Sequence, residues 1–537
     1  PVWPLAVREP DFFERNHPNW LGYTMRDMIR VAQFHAIPFG VPRPDPIVQD
    51  TTTRKIAAEQ PYIRRITRLG QAAARRGKGV AFAHEAAQLI WGGAENWHEG
   101  EHLAGAAERA GLDLAKSDTE VAAKADALDA EIASKLAELE DAGLSEDTIV
   151  FYYSDHGGVL PRSKRYCYDE GLRCALIVRL PPKWAHLAPA NAGAEIASPV
   201  TLLDLAPTLL SIAGAPIPDA MHGQPLLGHT RAPPQTYAFG MRNRMDERYD
   251  FVRTVTDGRY RYIRNYMPLR PAGQHGAFQW LLGCYQDWHR RYLNGELTDV
   301  QARFFRARDF EEFYDLEFDP DQTANLIADS AQADRIDGMR RALDAHMLAI
   351  NDNGFIPEGA PAEGRAASRD TAAYPLAAIM QLASAAARRD PASLEAFQTA
   401  LRDDNDILRY WAAMGLLMLK DAAAPALDDI LRTMTGDPSD HVRIVLAEAA
   451  VGLGEAESAI SLLAQLSSPG EETSIRLQAL NALTYCGDAA RAALPVIEQA
   501  AADDQEYIRN AGRYLAAVLT GAFEPAYPVF ELERLGR

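Results

Sequence analysis

Cysteine is scarce in this chain, with four residues among 537. So few cysteines make no disulfide framework, and no two of them have the CxxC spacing of a metal site. Cys167 and Cys174 lie seven residues apart, which fits neither common zinc arrangement. We therefore predict neither structural zinc nor a disulfide-stapled fold.

Long apolar runs are also missing. The longest candidates, such as the one beginning at Ala378, are interrupted by polar residues well short of the ~20 needed to span a bilayer. The first residues, Pro1 to Leu5, show no basic segment followed by an apolar one and no initiator Met, so a signal peptide is expected to be absent or removed. We predict a soluble protein of the cytoplasm or periplasm, without a membrane span.

Positive charge is in deficit, with 55 Lys and Arg against 74 Asp and Glu and a formal net charge of −19. An acidic surface repels phosphate backbones, which argues against a nucleic-acid partner. The 47% hydrophobic and 24% charged residues are ordinary for globular proteins and argue against general disorder. At roughly 150 residues per domain, the length predicts three or four folding units.

Composition divides the chain into zones. The first zone is mostly helical, and its strongest helical pattern covers 119–142 before Gly143. The second begins with two runs of β-branched and aromatic residues, 148–153 and 173–179, which lack the alternation of half-exposed strands. Such runs predict a mostly parallel sheet in an α/β domain. The predicted boundaries are 1–133 for a helical fragment, 134–350 for the α/β domain, 351–372 for a linker, 373–523 for helical repeats and 524–537 for a tail.

Two further elements are predicted inside the α/β zone. Residues 201–213 have a helical pattern that follows Ser198-Pro199. Residues 250–264 are typical of a hairpin that turns at Asp257-Gly258.

An arginine recurs in the third zone at positions 409, 443, 476 and 509, at intervals of 34, 33 and 33 residues. Each is preceded by acidic or polar residues and followed by a helical apolar pattern. Helix–turn–helix units of this length are typical of an α-solenoid. The units resemble HEAT-type repeats, which implies a surface for a protein partner, and a generic helical bundle is the alternative.

Asp155 and His156 directly follow the first predicted strand, and Lys164 comes eight residues after His156 in the loop before the second strand. A carboxylate and an imidazole suit a divalent cation, and a nearby lysine suits a tetrahedral anion bound beside it. The alternative is that Asp-His-Gly is only a turn.

These residues lie within a longer resemblance. Residues 144–182 closely resemble the C-terminal half of the sulfatase family in the alkaline-phosphatase-like superfamily, and the similarity continues at 198–210, 221–227 and 313–321. The resemblance implies an α/β sulfatase-like domain, here partial, that hydrolyses sulfuric esters of small molecules or glycans.

The same resemblance implies the site residues. Asp155 and His156 match ligands of Ca²⁺ or another divalent cation. Lys164 matches the lysine that binds the sulfate group and assists the departing oxygen, so Lys164 and His156 are the catalytic candidates. Arg162 and Lys164 are the substrate-binding candidates, and with Arg165 they form a local positive cluster.

Two family features are missing from residues 1–143, namely the Cys- or Ser-x-Pro-x-Arg motif that becomes the formylglycine nucleophile and an Asp-Asp metal pair. Their absence predicts that hydrolysis by this chain is impaired or incomplete unless a second chain supplies the nucleophile. The alternative function is a non-catalytic interaction scaffold that uses the helical repeats.

The N-terminal zone resembles a second family. Residues 23–39 and 87–92 are similar to the helical domain of the 2-hydroxychromene-2-carboxylate isomerase group of the thioredoxin superfamily, over about 1–133. This resemblance implies a fusion of two fragments and offers an isomerase-like protein as a second alternative.

Overall fold

The structure is a computed structural model of the 537-residue chain. It describes residues 26, 28–30, 32–34, 37–49, 57, 60–76, 78–99, 101–114, 132–158, 160–364 and 366–531. The chain divides into two compact units, residues 1–148 and residues 149–537. None of the helices in these described ranges is long and apolar enough to cross a membrane.

The first unit contains the helices α1 (Pro61–Arg75), α2 (Gly79–Trp91) and α3 (His102–Arg109). Pro61 opens α1, where its missing N–H costs no hydrogen bond. Of the predicted helix 119–142, residues 132–141 are helical, and 115–131 lie outside the described residues. The three helices enclose a small core of buried side chains, Leu69, Ala73, Phe82, Ala86, Leu103, Ala107, Ala110 and Leu112.

The second unit begins with two short strands, β1 (Val150–Tyr153) and β2 (Leu176–Arg179), which pair antiparallel. The prediction of a mostly parallel sheet is wrong for the described strands, because every pairing among all six of them is antiparallel. The loop between β1 and β2 contains only a one-turn helix, α4 (Asp169–Leu172), so the chain reverses instead of crossing over. Tyr152 and Ile177, which face each other, are 46% and 62% exposed, so the ribbon is not buried on both faces.

Helix α5 (Leu205–Ile212) follows a 3₁₀ turn at Leu202–Asp204, which confirms the helix predicted at 201–213. Thr201 and Asp204 form a capping box at its start. This arrangement satisfies N–H groups that would otherwise lack partners at a helix N-terminus.

A four-stranded antiparallel sheet follows, with the strands in chain order. They are β3 (Ala238–Arg242), β4 (Val252–Thr256), β5 (Tyr260–Asn265) and β6 (Glu311–Asp315). The predicted hairpin is confirmed by the β4–β5 pairing. Its turn has Gly258 at φ +99°, a conformation that glycine adopts without a steric penalty.

Three helices accompany this sheet: α6 (Gly283–Leu293), α7 (Asp299–Ala302) and α8 (Ala333–Ala349). Helix α8 packs against β4 and β5. Its buried residues Ile336, Met339, Leu343 and Met347 recur every three or four positions, the spacing of one helix face.

Nine helices follow in the described part of the third zone. They are α9 (Leu376–Arg388), α10 (Leu394–Ala400), α11 (Asp406–Leu419), α12 (Leu427–Gly436), α13 (Asp440–Gly452), α14 (Ala456–Leu466), α15 (Thr473–Tyr485), α16 (Leu494–Ala501) and α17 (Glu506–Thr520). The odd-numbered helices α9, α11, α13, α15 and α17 pack against one another in succession.

Two of the four recurring arginines, Arg409 and Arg476, contact the loop before a later helix. Arg409 forms a two-pronged ion pair with Asp437 at 2.7 and 3.0 Å, and Arg476 contacts Asp503 at 2.6 Å. In each case the arginine near the start of one odd-numbered helix contacts the loop before the next odd-numbered helix. The assignment to HEAT-type repeats stays a prediction.

The segment predicted as a linker, 351–372, is part of the core of the second unit. Phe355 and Ile356 are buried, and the Phe355 carbonyl accepts a hydrogen bond from the indole of Trp411 at 2.9 Å. A single hydrophobic core continues from the four-stranded sheet through this segment into the helices. The second and third zones therefore fold as one body.

Candidate functional site

The loop of residues 154–175 connects β1 to β2 and carries the four predicted site residues Asp155, His156, Arg162 and Lys164. We refer to it as the site loop. It is closed at its base by a hydrogen bond from the Ser154 amide to the Ala175 carbonyl at 3.3 Å.

Two glycines allow the halves of the site loop to touch. The Gly157 amide donates to the Gly171 carbonyl at 3.1 Å. A Cβ on Gly157 would lie 1.8 Å from the Glu170 carbonyl oxygen, and one on Gly171 would lie 2.3 Å from the Ser163 oxygen. No other residue fits at either position without moving the backbone, so these glycines are required by close approach.

Asp155 and His156 lie next to each other at the end of β1. The Asp155 side chain is 80% exposed, and its Oδ2 lies 3.4 Å from Nε2 of His156. The other ring nitrogen, Nδ1, is 2.6 Å from the Gly157 carbonyl oxygen, a contact that orients the ring.

These two residues do not complete a site for a divalent cation. The part of the chain that the structure describes contains no group of three or more His, Cys, Asp or Glu side chains that could hold a metal ion. Ca²⁺ takes six to eight oxygen ligands, whereas Asp155 and His156 supply one carboxylate and one imidazole. The predicted cation therefore does not fit the described residues by themselves.

Lys164 is half-buried, and its backbone amide donates to the Gly158 carbonyl at 3.0 Å. The hydroxyl of the preceding Ser163 donates to the Glu170 carbonyl at 2.8 Å and ties the lysine segment to the opposite side of the loop. Among the described residues, the Lys164 ammonium has neither a hydrogen-bond partner nor a carboxylate partner. A fixed backbone thus carries an unpaired cation.

Arg162, predicted to bind substrate, is engaged with the protein. Its guanidinium donates to the carbonyls of Asp321 and Gln322 at 2.7 and 3.1 Å and lies 4.2 Å from the centre of the Tyr168 ring. These contacts occupy its guanidinium within the protein. The substrate-binding role of Arg162 stays a prediction.

Arg165 is similarly occupied. It pairs with Asp246 at 2.7 Å, its side chain is 10% exposed, and its guanidinium lies 4.9 Å from the centre of the Phe278 ring. Sequence reasoning missed Asp246 and Phe278, because residues so far along the chain become neighbours only through the fold.

Cys167 is not a nucleophile in this structure. It is buried, and burial raises the pKa of its thiol to about 11, although nearby arginines, Arg242 first, act in the opposite direction. Because the thiolate is the reactive form of cysteine, this side chain is inert near neutral pH.

A cavity of about 80 Å³ lies elsewhere in the second unit, between loops of the four-stranded sheet and helices α11, α13 and α15. It is lined largely by apolar side chains, with the ion pair Arg270–Glu448 at 2.6 Å in its wall. No described residue of the site loop lines it. The cavity and the predicted site are therefore separate places.

Comparisons with known proteins identify part of the chain. Residues 55–215, a range that includes the site loop, match the family model described as Sulfatase. The match begins inside the segment 1–133, for which the isomerase resemblance stays a prediction.

Curated relatives agree with the family match. An ulvan-active sulfatase of Formosa agariphila is 35% identical over 234 residues, which are 43% of this chain and 38% of that protein. The N-sulphoglucosamine sulphohydrolase of Homo sapiens is 30% identical over 226 residues, 39% of this chain and 43% of that protein. The chain thus spans about two fifths of the length of these relatives.

Among solved structures, one in complex with its substrate D-glucosamine-2-N,6-O-disulfate is 19% identical, with a TM-score of 0.30 over 48% of this chain and 44% of that one. The family-model match at residues 55–215 agrees in kind with the two curated relatives, a sulfatase and a sulphohydrolase.

Proposed function

We propose that the site loop binds the sulfate group of a sulfated sugar and that the protein acts as a sulfuric-ester hydrolase. The observation that carries the proposal is the ammonium of Lys164, which is unpaired among the described residues and shares its loop with Asp155 and His156. The sulfatase match over residues 55–215 supports the reaction class.

The choice of lysine is itself informative. Only eight of the 55 basic residues are lysines, so arginine is the usual cation of this chain. An ammonium is a compact charge with three donors that can turn toward a tetrahedral oxyanion, whereas a guanidinium has a fixed planar fork. Because the net charge of −19 repels an anion at long range, binding depends on local attraction, which is about 4 kcal/mol for unit charges 4 Å apart at an effective dielectric constant of 20.

Hydrolysis of a sulfate ester consumes one water, breaks the bond between sulfur and the ester oxygen, and releases an alcohol and sulfate. Lys164 is assigned to the sulfate oxygens and to the ester oxygen, on which negative charge grows as the bond breaks. His156 is assigned to proton transfer, because its ring is oriented by the Gly157 carbonyl and lies beside Asp155. Asp155 and His156 are also the residues that would face a divalent cation. The assignment of His156 to proton transfer does not depend on a bound cation.

The substrate class is inferred from the relatives. One is named as an ulvan-active sulfatase and another as an N-sulphoglucosamine sulphohydrolase, a name that specifies a sulfated amino sugar. We propose a sulfated saccharide as the substrate.

The test compares the hydrolysis of the sulfate esters D-glucosamine 6-O-sulfate and 4-nitrophenyl sulfate, with and without Ca²⁺, by the wild type, Lys164→Ala and Lys420→Ala. Loss of a group that stabilises the transition-state charge is expected to lower kcat/KM by about 10²-fold in Lys164→Ala. Lys420 is an exposed lysine in the same unit, and its replacement should leave kcat/KM unchanged. Equal turnover by the wild type and Lys164→Ala would contradict the assignment.

If neither the wild type nor the two lysine variants hydrolyses a substrate, sulfate binding decides between two interpretations. A bound sulfate should shield Lys164 from chemical acetylation by N-hydroxysuccinimidyl acetate. If sulfate slows this acetylation although no turnover is seen, the chain binds sulfate without catalysis, as the missing Cys- or Ser-x-Pro-x-Arg motif predicts. If sulfate has no effect on Lys164 either, the proposed function is wrong.

A second candidate function is a protein-interaction scaffold built on helices α9 to α17, which the inter-repeat contact of Arg409 with Asp437 favours. Helices α11, α13 and α15 contact the chain's own loops through Trp411, Glu448 and Asn481, so a partner would use the other row of helices.

Isomerase function is tested directly with 2-hydroxychromene-2-carboxylate and glutathione.

A further inference from the structure

We infer that Arg162 and Arg165 are positioning residues that hold Lys164 ready for a sulfate group, an inference that rests on the function proposed for the site loop. Arg162 and Arg165 have φ angles of +65° and +82°, in the left-handed region that side chains other than glycine rarely adopt. Only Ser163 and Lys164 lie between them. The backbone is therefore bent into a rare conformation on both sides of the lysine, and such a conformation persists only where surrounding contacts impose it.

Arg162 provides the first of these contacts. Its two hydrogen bonds reach the carbonyls of Asp321 and Gln322, in the turn that follows β6. The Gln322 side chain returns to the site loop, where its carbonyl oxygen accepts from the Asp169 amide at 2.6 Å. The site loop and the turn after β6 are thus fastened to each other in both directions.

Arg165 provides the second contact, on a different part of the fold. Its partner Asp246 lies in the connection between β3 and β4 and itself has a φ of +49°. The Asp246 carbonyl accepts a hydrogen bond from Arg244, which also pairs with Glu358 at 2.6 Å. This anchor therefore connects the lysine segment to the body of the second unit.

The two anchors occupy the neighbouring cations and leave Lys164 as the one of the three basic residues without a partner among the described residues. The guanidinium of Arg162 is turned to backbone carbonyls, and that of Arg165 is turned to Asp246. The carboxylate of Asp246 already has the Arg165 guanidinium as its cation. Removal of Arg165 would leave the carboxylate of Asp246 without that partner and release the lysine segment from this anchor.

The experiment measures the acetylation rate of Lys164 by N-hydroxysuccinimidyl acetate, with mass spectrometry of chymotryptic peptides and Lys420 as the internal reference. Sodium sulfate is titrated against sodium chloride at constant ionic strength, which gives a half-protecting sulfate concentration. The full chain is used in every case, and thermal unfolding identifies any variant that has lost its fold.

Each anchor contributes charge-assisted contacts, so in Arg162→Ala and Arg165→Ala we expect the half-protecting sulfate concentration to rise about tenfold. Arg165→Lys, which keeps a cation for Asp246, should recover most of the protection. Asp246→Asn offers a second route to the same anchor, because it weakens the contact while Arg165 stays in place, and it should also raise the concentration.

The matched control is Arg173→Ala, which removes one cation from the same loop. The Arg173 side chain is 80% exposed, and its contact with Asp169 is long, at 3.9 Å. Its half-protecting concentration should change less than about twofold, as expected for an exposed pair. An equal rise in Arg173→Ala, or no rise in Arg162→Ala and Arg165→Ala, would overturn the inference. Absence of protection in the wild type would overturn the inference as well, and together with absence of turnover it would refute the proposed function itself.

Discussion

The two sheets of the second unit differ in how they are covered. In the β1–β2 ribbon, Tyr152 and Ile177 face each other with about half of each side chain exposed. In the four-stranded sheet every residue of β5 is buried, and helix α8 packs on one side. The two strands of the ribbon lie immediately before and after the site loop. The sheet, by contrast, shares its core with the helices of the third zone.

The candidate site therefore lies on the exposed ribbon, whereas the buried core of the unit lies at the four-stranded sheet. A two-stranded ribbon is marginal in water by itself, so the ribbon and its loop depend on contacts with the body of the unit, which include those of Arg162 and Arg165. Binding sites tend to occur in such less stable segments. We expect changes in the sheet to affect mainly the free energy of unfolding and changes in the site loop to affect mainly sulfate binding.

The largest effect on stability is expected from Arg253→Ala. Arg253 on β4 binds Asp352 through two hydrogen bonds of 2.6 and 2.9 Å, and both side chains are almost fully buried. Removal of one partner leaves a buried carboxylate uncompensated, at a cost of about 3–5 kcal/mol in the free energy of unfolding. The measurement is urea denaturation followed by tryptophan fluorescence.

The control for that variant is Arg306→Ala, which breaks the exposed pair with Asp299 at 3.1 Å. A loss of less than about 1 kcal/mol is expected there. Equal losses in the two variants would show that burial does not determine the value of an ion pair in this unit.

A smaller loss of stability with a complete loss of binding is expected from Gly157→Ala. The new Cβ would lie 1.8 Å from the Glu170 oxygen, so the two halves of the site loop must separate. We expect a cost of about 1–3 kcal/mol and no protection of Lys164 by sulfate. In the adjacent control, Gly158→Ala, the nearest atom to the Cβ is 3.8 Å away, and protection should persist. Protection in both variants would separate the loop closure from the function.

The free energy of unfolding should depend on pH through the buried carboxyl of Asp352. Burial by itself would raise the pKa of this carboxyl, but the hydrogen bonds from Arg253 outweigh it and hold the pKa below the usual value for aspartate. Because the folded state binds its proton less tightly than the unfolded state, this contribution to stability is fully present above about pH 4 and is lost as the pH falls further.

Thermal unfolding between pH 2.5 and 6 tests that prediction. The melting temperature of the wild type should decrease more steeply below pH 4 than that of Asp352→Asn, whose amide does not titrate. Parallel pH profiles would contradict the assignment of acid sensitivity to this buried pair.

The smallest effect is expected from Ile177→Thr in the ribbon. The isoleucine is 62% exposed, and threonine keeps the β-branched shape that favours strands. The free energy of unfolding should change by no more than about 0.5 kcal/mol. A loss of about 2 kcal/mol or more in the same urea titration would mean that the ribbon is stabilised by packing on Ile177.

Local patterns in the sequence predicted several elements correctly. The strand around 150–153, the helix at 205–212 and the β4–β5 hairpin all follow from short stretches of residues, in which propensity and turn chemistry act over a few positions. The direction in which β1 pairs was predicted wrongly, because residue types within a strand say nothing about the strand beside it.

The sequence alone determined which residues stand in the site loop and that a strand leads into it, since both follow from residues within a few positions of one another. Only the tertiary structure decided that Arg162 and Arg165 are occupied and that Lys164 is not paired with any described residue, because the partners Asp321 and Asp246 are distant along the chain. A charged side chain is available to a ligand when the fold pairs the neighbouring charged groups with one another. That pairing is a property of three-dimensional packing.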